Sequence, residues 1–289
     1  MKKLSDVCQI AAFTDKAFNG NPAGVVYSEN LSNEEMQNIA REFNVAETAF
    51  ISKSNEADFN LKWFSPTVEI KLCGHATIAS VHYLLERGII KNNSSVTFKT
   101  LSGILKCSTK DGIHSLILPL PELSEFNGNK DQIINAFSAE NIIDTKKFPF
   151  ILDNGGYLYI YISTLKELMN IKPDFRKLNE LSSAGKGYDA FTLFTKETIE
   201  KGNDAHLRFF APYYGIDEDP VTGSANGPLL LVLRKLGMID ENTEGKTFKF
   251  EQGDTIGRKG RINVSYSPSK KDLMITGRAF TVFKGELTF

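Results

Sequence analysis

Cys73-Gly74-His75-Ala76, an apolar run and Gly88 form one stretch of the chain; Thr222-Gly223-Ser224-Ala225, an apolar run and Gly237 form another. In both, the first and last glycines lie fourteen residues apart. The flanks repeat as well. Phe64-Ser65-Pro66 precedes the first stretch and Phe210-Ala211-Pro212 the second, while Val96-Thr97-Phe98-Lys99 and Lys246-Thr247-Phe248-Lys249 follow them. Self-similarity of this kind marks a repeated structural unit. Fourteen residues make about four helical turns, with glycine where helices start and stop, so helices are predicted over residues 75–88 and 225–237. Ala76, Ile78, Ala79, Val81, Leu84 and Leu85 in the first, and Leu229 to Leu233 with Leu236 in the second, cover most of each circumference. A helix apolar nearly all round is buried. Proline is tolerated in a first turn, so regular hydrogen bonding in the second helix is expected to begin some residues after Gly223, near Pro228.

Around these helices lie short alternating segments, such as Phe59-Asn60-Leu61-Lys62-Trp63. Strands are predicted over residues 7–13, 23–27, 49–52, 59–63, 113–118, 157–163, 189–195, 204–210, 262–266 and 278–283. Helices are predicted over 33–43, where Ser32 caps and Glu35 sits three residues later, and over 165–170 and 174–184. Most successive strands are joined too tightly for parallel crossovers. The expected fold is α+β: two pseudo-symmetric halves, each a mostly antiparallel sheet or barrel wrapped around a central buried helix. Leu118-Pro119-Leu120-Pro121 places the boundary, giving one half of residues 1–120 plus 278–289 and another of 121–277, with the active site in the cleft between them.

The 289 residues carry 34 Lys and Arg against 35 Asp and Glu, a formal charge of −1. Such a balance creates no field for a phosphate backbone or an anionic membrane, so neither is an expected partner. No apolar run reaches the roughly 18 residues that cross a bilayer. Asp6 and Gln9 interrupt what would have to be a secretory signal, so a cytoplasmic location is expected. Cys8, Cys73 and Cys107 are odd in number and far apart, matching neither a disulfide framework nor a paired-cysteine zinc site. Reduced thiols and no bound metal are expected.

Chemistry concentrates at the two helix heads. Helix amino ends offer N–H groups and the positive end of the dipole, so Gly74 and Gly223 mark potential anion sites. His75 is either a proton carrier or a capping histidine. Asp219, before Pro220, either handles a proton or complements a helix dipole. Ser224 and Thr222 grip a carboxylate or act as ordinary N-caps. Glu47, in Val45-Ala46-Glu47-Thr48-Ala49-Phe50, is a desolvated general base or a solvated turn residue. Asn19, in Asn19-Gly20-Asn21-Pro22-Ala23-Gly24, lines a site or turns the chain. His82, His114 and His206 are read as structural.

Several long motifs in one order resemble the PhzF-like family of phenazine-biosynthesis isomerases, with the diaminopimelate epimerase fold behind them. They are Phe18 to Val25, Ala46 to Phe50, Leu72 to Thr77, Gly187-Tyr188-Asp189, Glu218 to Ala225, and Glu251-Gln252-Gly253 with Gly257-Arg258. The resemblance implies an isomerase and a homodimer, with no metal or organic cofactor. It makes Glu47 the acid/base that takes a proton from one carbon of a small carboxylate and returns it to another. His75 and Asp219 then assist catalysis, and Gly74, Gly223, Ser224 and Asn19 bind substrate. Related epimerases use two cysteines, at positions matching Cys73 and Thr222; only one is a thiol here, which disfavours two-base epimerisation. The alternatives are an amino-acid or hydroxy-acid racemase or epimerase, a hydrolase built on Ser224, His75 and Asp219, and a non-catalytic ligand-binding protein.

Overall fold

A computed structural model describes residues 2–183, 185 and 187–289. The chain forms two compact units, Met1–Leu118 with Met274–Phe289, and Pro119–Leu273.

The first unit contains β1 (Lys3–Ala12), β2 (Asn21–Tyr27), α1 (Asn33–Phe43), β3 (Glu47–Lys53), β4 (Phe59–Phe64), β5 (Glu69–Ile70), α2 (Gly74–Glu86), β6 (Ser94–Thr100), β7 (Gly103–Lys110) and β8 (Ile113–Leu118). The second contains β9 (Leu123–Glu125), α3 (Lys130–Ala136), β10 (Ile151–Asp153), β11 (Tyr157–Tyr161), α4 (Leu165–Asn170), α5 (Phe175–Ser183), β12 (Ala190–Thr195), β13 (Ala205–Ala211), β14 (Ile216–Asp219), α6 (Gly223–Lys235), β15 (Phe248–Gln252) and β16 (Gly260–Ser267). The division between units falls within β17 (Asp272–Gly277), after which β18 (Ala279–Thr288) pairs antiparallel with β1.

The strand pairings repeat. In the first unit β1 and β2 are antiparallel, β2 and β3 parallel, β3 and β4 antiparallel, β4 and β6 parallel, and β6 and β7 antiparallel. The second unit runs through the same series with β10, β11, β12, β13, β15 and β16. The parallel crossovers contain α1 and α2 in one unit, and α4 with α5 and then α6 in the other, as parallel pairing requires. The fold is therefore α+β with a duplicated, mostly antiparallel topology. Within the first unit α2 packs against β1, β2, β3, β7, β8 and β18, so the sheet does wrap a central helix.

Local signals explain the elements. Ser32 and Glu35 cap each other reciprocally and start α1 at Asn33; its Met36, Ile39 and Ala40 then pack on Val7, Val26, Phe50 and Phe64. In α2 the ten residues Gly74–Val81, Tyr83 and Leu84 are all buried, which the polar faces of an ordinary surface helix would not allow. One expectation is corrected. The second long helix starts at Gly223 rather than downstream, and Pro228 lies inside it. An interior proline costs about 3 kcal/mol, but Leu229, Leu230, Val232 and Leu233 are fully buried, at about 1.5–3 kcal/mol each, so burial wins. Strand β7 alternates in burial, with Leu105, Cys107 and Thr109 inward, but only Leu105 of these is strongly apolar, so its sequence signal is weak. The helix predicted over 174–184 is α5, ending at Ser183; residue 184 lies outside the described residues. Among the described residues no helix is long and apolar enough to cross a membrane.

Candidate active site

The head of α2 is assembled by β-sheet register. Parallel pairing places Ala23 of β2 opposite Glu47 and Gly24 opposite Thr48. The approach is close enough that a Cβ on Gly24 would sit 2.7 Å from the Thr48 hydroxyl oxygen. Glu47 thus opens β3 as a buried residue, not a solvated turn glutamate. Because α2 packs on β2 and β3, its first turn reaches this carboxylate. His75 Nε2 lies 3.2 Å from Glu47 Oε2. Cys73, the extended N-cap of α2, makes no side-chain cap; its Sγ lies 3.5 Å from His75 Nδ1 and 4.0 Å from Nε2. Glu47, Cys73 and His75 are only 9%, 6% and 5% exposed. Burial pushes the His75 pKa down to about 3, so its imidazole is neutral near pH 7, with one N–H and one lone pair to offer. A neutral imidazole can donate its N–H to the ionised carboxylate or accept a hydrogen bond from the protonated carboxyl.

The loop before β2 is fixed by a backbone requirement. Gly20 has φ +63°, and a Cβ there would lie 2.2 Å from the Ala12 carbonyl oxygen. Asn19 is half-buried on this turn and Asn21 fully buried.

The head of α6 is built differently. Asp219, buried, ends β14, and its carboxylate accepts a hydrogen bond from the Thr222 hydroxyl. Thr222 is the N-cap of α6 by position but makes no side-chain cap. Its backbone N–H instead donates to Gln252 Oε1 at 2.9 Å. Gln252 Nε2 donates to the Asp219 carbonyl at 2.8 Å and to Thr222 Oγ1 at 3.1 Å, and Asn226 Nδ2 donates to Gln252 Oε1 at 2.8 Å. Behind them Gly253, at φ +85°, leaves no room for a Cβ, which would lie 2.5 Å from the Pro220 carbonyl oxygen. The Glu251-Gln252-Gly253 motif is therefore the buttress of this helix head. Gly223 opens α6, and Ser224, half-buried, has its Oγ 3.3 Å from the Tyr157 hydroxyl. Tyr157 packs edge-on against Phe209, the β13 residue opposite Asp219.

Within its unit, then, Glu47 meets His75, and within the other Asp219 meets Thr222 and Ser224 meets Tyr157. Gln252 and Asn226 carry no signal of this role in the sequence beyond the motif that holds Gln252, and Tyr157, which the sequence leaves open as a pocket or a core residue, is brought to Ser224 by the fold. The remaining histidines lie in side-chain networks away from the two heads. His82 Nδ1 is 3.1 Å from His114 Nε2, and His206 Nδ1 is 3.0 Å from Glu251 Oε2, both His206 and Glu251 being fully buried. Tyr188 is core, packed on Phe126 and Phe191.

Residues 10–285 match the family described as phenazine biosynthesis-like protein, PhzC-PhzF. An uncharacterized isomerase of Clostridium acetobutylicum is 38% identical, the alignment covering 99% of both chains. The crystal structure of a Bacillus anthracis phenazine biosynthesis protein of the PhzF family superposes with a TM-score of 0.90, at 28% identity and over all of both chains. A hydroxyproline epimerase of Agrobacterium vitis has the same fold, with a TM-score of 0.61 at 14% identity over 98% of this chain and 92% of its own.

Proposed function

The chain belongs to the phenazine biosynthesis-like PhzC-PhzF family and is an isomerase of that family, and from this premise we propose that it moves a proton between two carbons of a small, cyclic or unsaturated carboxylate, with Glu47 as the acid/base. The observation that carries the reading is the buried contact of 3.2 Å between Glu47 and His75. Glu47 removes a proton from one carbon, the C–H electron pair moves into the adjacent unsaturated system, and the same carboxyl group returns a proton at a second carbon. His75, neutral, donates to the carboxylate while it is ionised. Asp219 assists through the Thr222 hydroxyl that it holds. Each helix head can receive a carboxylate on its own N–H groups, at Gly74 in the first unit and at Gly223 with the Ser224 hydroxyl in the second, and Asn19 is a further substrate residue of the first unit. Neither a metal nor an organic cofactor enters this scheme.

Cys73 beside His75 favours a second reading, a racemase in which the thiol serves one face of an α-carbon. Against it, the residue matching the second thiol is Thr222, whose hydroxyl is committed to Asp219 and is a very weak acid. We further propose a cytoplasmic homodimer acting on small molecules rather than on nucleic acid or membranes.

The test is solvent exchange. The protein is incubated in deuterium oxide with a panel of small carboxylates, including dihydro-hydroxyanthranilate, and C–H exchange and product are followed by NMR for wild type, Glu47→Gln and Cys73→Ala. Exchange that vanishes with Glu47→Gln and persists with Cys73→Ala supports the single-base isomerase. Exchange unchanged by Glu47→Gln overturns it, and loss of optical purity that requires Cys73 moves the assignment to the racemase.

A further inference from the structure

Sulfur, nitrogen and oxygen donors converge at the head of α2. One ligand atom from each of Glu47, Cys73 and His75 lies within 4.8 Å of the other two, and all three residues are buried. We propose that these three side chains bind a thiophilic divalent cation, with Zn2+ the best fit, and that its binding switches proton transfer off.

The three donors are gathered but not yet in tetrahedral array. Zinc bonds of about 2.0–2.3 Å at tetrahedral angles set ligand atoms about 3.3–3.6 Å apart. His75 Nε2 to Glu47 Oε2 is 3.2 Å, while Cys73 Sγ lies 3.5 Å from Nδ1 and 4.0 Å from Nε2, so binding through Nε2 requires the imidazole to turn and the thiol to swing to the Nε2 side. The donors sit on rigid elements, Glu47 at the start of β3 and Cys73 and His75 at the start of α2. An imidazole nitrogen supplies one lone pair to a metal.

Charge also favours the ion. A thiolate and a carboxylate cancel the two positive charges of the metal, which matters in a buried place where a net charge is expensive. The positive end of the α2 dipole opposes a cation by only about 0.3–1 kcal/mol. The thiolate selects Zn2+ or similar borderline and soft ions over Mg2+ and Ca2+. On binding, the Cys73 thiol loses its proton to solvent and no electrons are transferred. Three protein ligands leave a fourth position for water or a substrate oxygen.

Only the switching-off rests on the proposed role of Glu47: once Glu47 and His75 lone pairs are on the metal, they no longer receive a proton. The binding site itself stands on the side-chain geometry. Spacing along the chain conceals it, because Glu47 is far from Cys73 in sequence and is brought there by the packing of α2 on β3.

The full chain, stripped of metal with a chelator, is titrated anaerobically with Co2+ alone and followed by absorption, and Zn2+ is then added. The expected result is one equivalent of Co2+ with a thiolate-to-cobalt charge-transfer band and the intense visible bands of a tetrahedral site, displaced by Zn2+. Cys73→Ala and Cys73→Ser, checked for folding by circular dichroism, lose the charge-transfer band. Cys8→Ala and Cys107→Ala keep it. Glu47→Gln and His75→Asn weaken binding by about tenfold or more. A wild-type titration without the band, or a band that survives Cys73→Ala, overturns the site. Exchange activity undiminished at saturating Zn2+ overturns the switch. Because the absorption readout needs no substrate, a protein that binds Co2+ through Cys73 but shows no exchange on any carboxylate refutes the isomerase reading and leaves the metal site standing.

Discussion

The heads of α2 and α6 start from the same scaffold and end with different chemistry. Phe64 and Phe210 are repeat partners, and they pair with Thr48 and Phe191 respectively, so the counterpart of Glu47 in the second unit is Ala190, fully buried. Likewise Ile70 pairs with Trp63 where Asp219 pairs with Phe209, so the counterpart of Asp219 is Ile70. Each head has one buried carboxylate, but on a different strand. Glu47 faces a neutral imidazole, a partner that can donate or accept a hydrogen bond. Asp219 faces a hydroxyl that Gln252 also holds, in a network whose polar atoms are bonded to one another. Duplication thus supplied two anion-receptive helix ends, and the difference lies in which neighbouring strand supplies the carboxylate and whether its partner titrates.

Three changes break this asymmetry with large effects. Glu47→Gln removes the acid/base while preserving shape, and general acid–base catalysis is worth about 10²–10⁴ in rate; exchange measured by NMR is expected to fall by that factor with the melting temperature nearly unchanged. Gln252→Ala leaves the Thr222 N–H, the Asp219 carbonyl and the Asn226 amide without their shared partner. At about 1–3 kcal/mol for each buried polar group left unsatisfied, urea unfolding is expected to show a loss of about 3 kcal/mol. The head of α2 is held in part by Thr77. Thr77→Val there removes one hydroxyl bond to the Cys73 carbonyl, and is expected to cost about 1 kcal/mol.

Acid separates the two units as well. Burial, with the neighbouring His82 and Arg278 charges, holds His114 of the first unit at about 3, against an ordinary 6.5. The unfolded chain therefore takes up the proton first, and stability falls as pH drops from about 6.5 towards 3, by about 2 kcal/mol at pH 5. Asp153 of the second unit runs the other way. Burial raises it from 3.8 to about 6 against the pull of the Tyr157 and Gly155 N–H groups and the Tyr159 hydroxyl, so its contribution is full below 3.8 and lost as pH rises through 6. Glu251 is pushed up by burial, but His206, the Ile199 and Glu200 N–H groups and Asn203 together pull it down to about 2; its contribution disappears only between 4.5 and 2. Amide hydrogen exchange at pH 5 should show the first unit opening before the second, and His114→Gln should reduce that difference. Equal opening of both units in wild type would refute the assignment.

Much of this was legible in the sequence because it is local. The capping pair Ser32 and Glu35 fixed the start of α1, and the repeated glycines fixed both long helices to within two residues at either end. What was hidden depends on long-range pairing. Glu47 and His75 meet only once β2 and β3 pair in parallel beneath α2. The α3 segment, seven residues long, is too short to show a period. The Glu251-Gln252-Gly253 motif was visible, but its work is done by one amide reaching four groups across a loop, which no spacing rule encodes. Cys73, matched in the sequence to an epimerase thiol, has His75 only two residues away but meets Glu47 only through the fold.

Tyr157 gives the finest test of the comparison. Its hydroxyl is 3.3 Å from Ser224 Oγ, while His75, which matches Ser224 in the repeat, has Glu47 at that place. If the head of α6 only binds a carboxylate, Tyr157→Phe should act on binding alone. The ring and its packing on Phe209 remain, and only the orientation of the serine hydroxyl is released. A neutral hydrogen bond of this kind is worth about 1 kcal/mol, so KM is expected to rise about fivefold while kcat stays constant, the pattern of an interaction equally strong in ground and transition states. A fall in kcat at constant KM would instead place Ser224 in the proton transfer itself, and a purely binding role for the head of α6 would have to be abandoned.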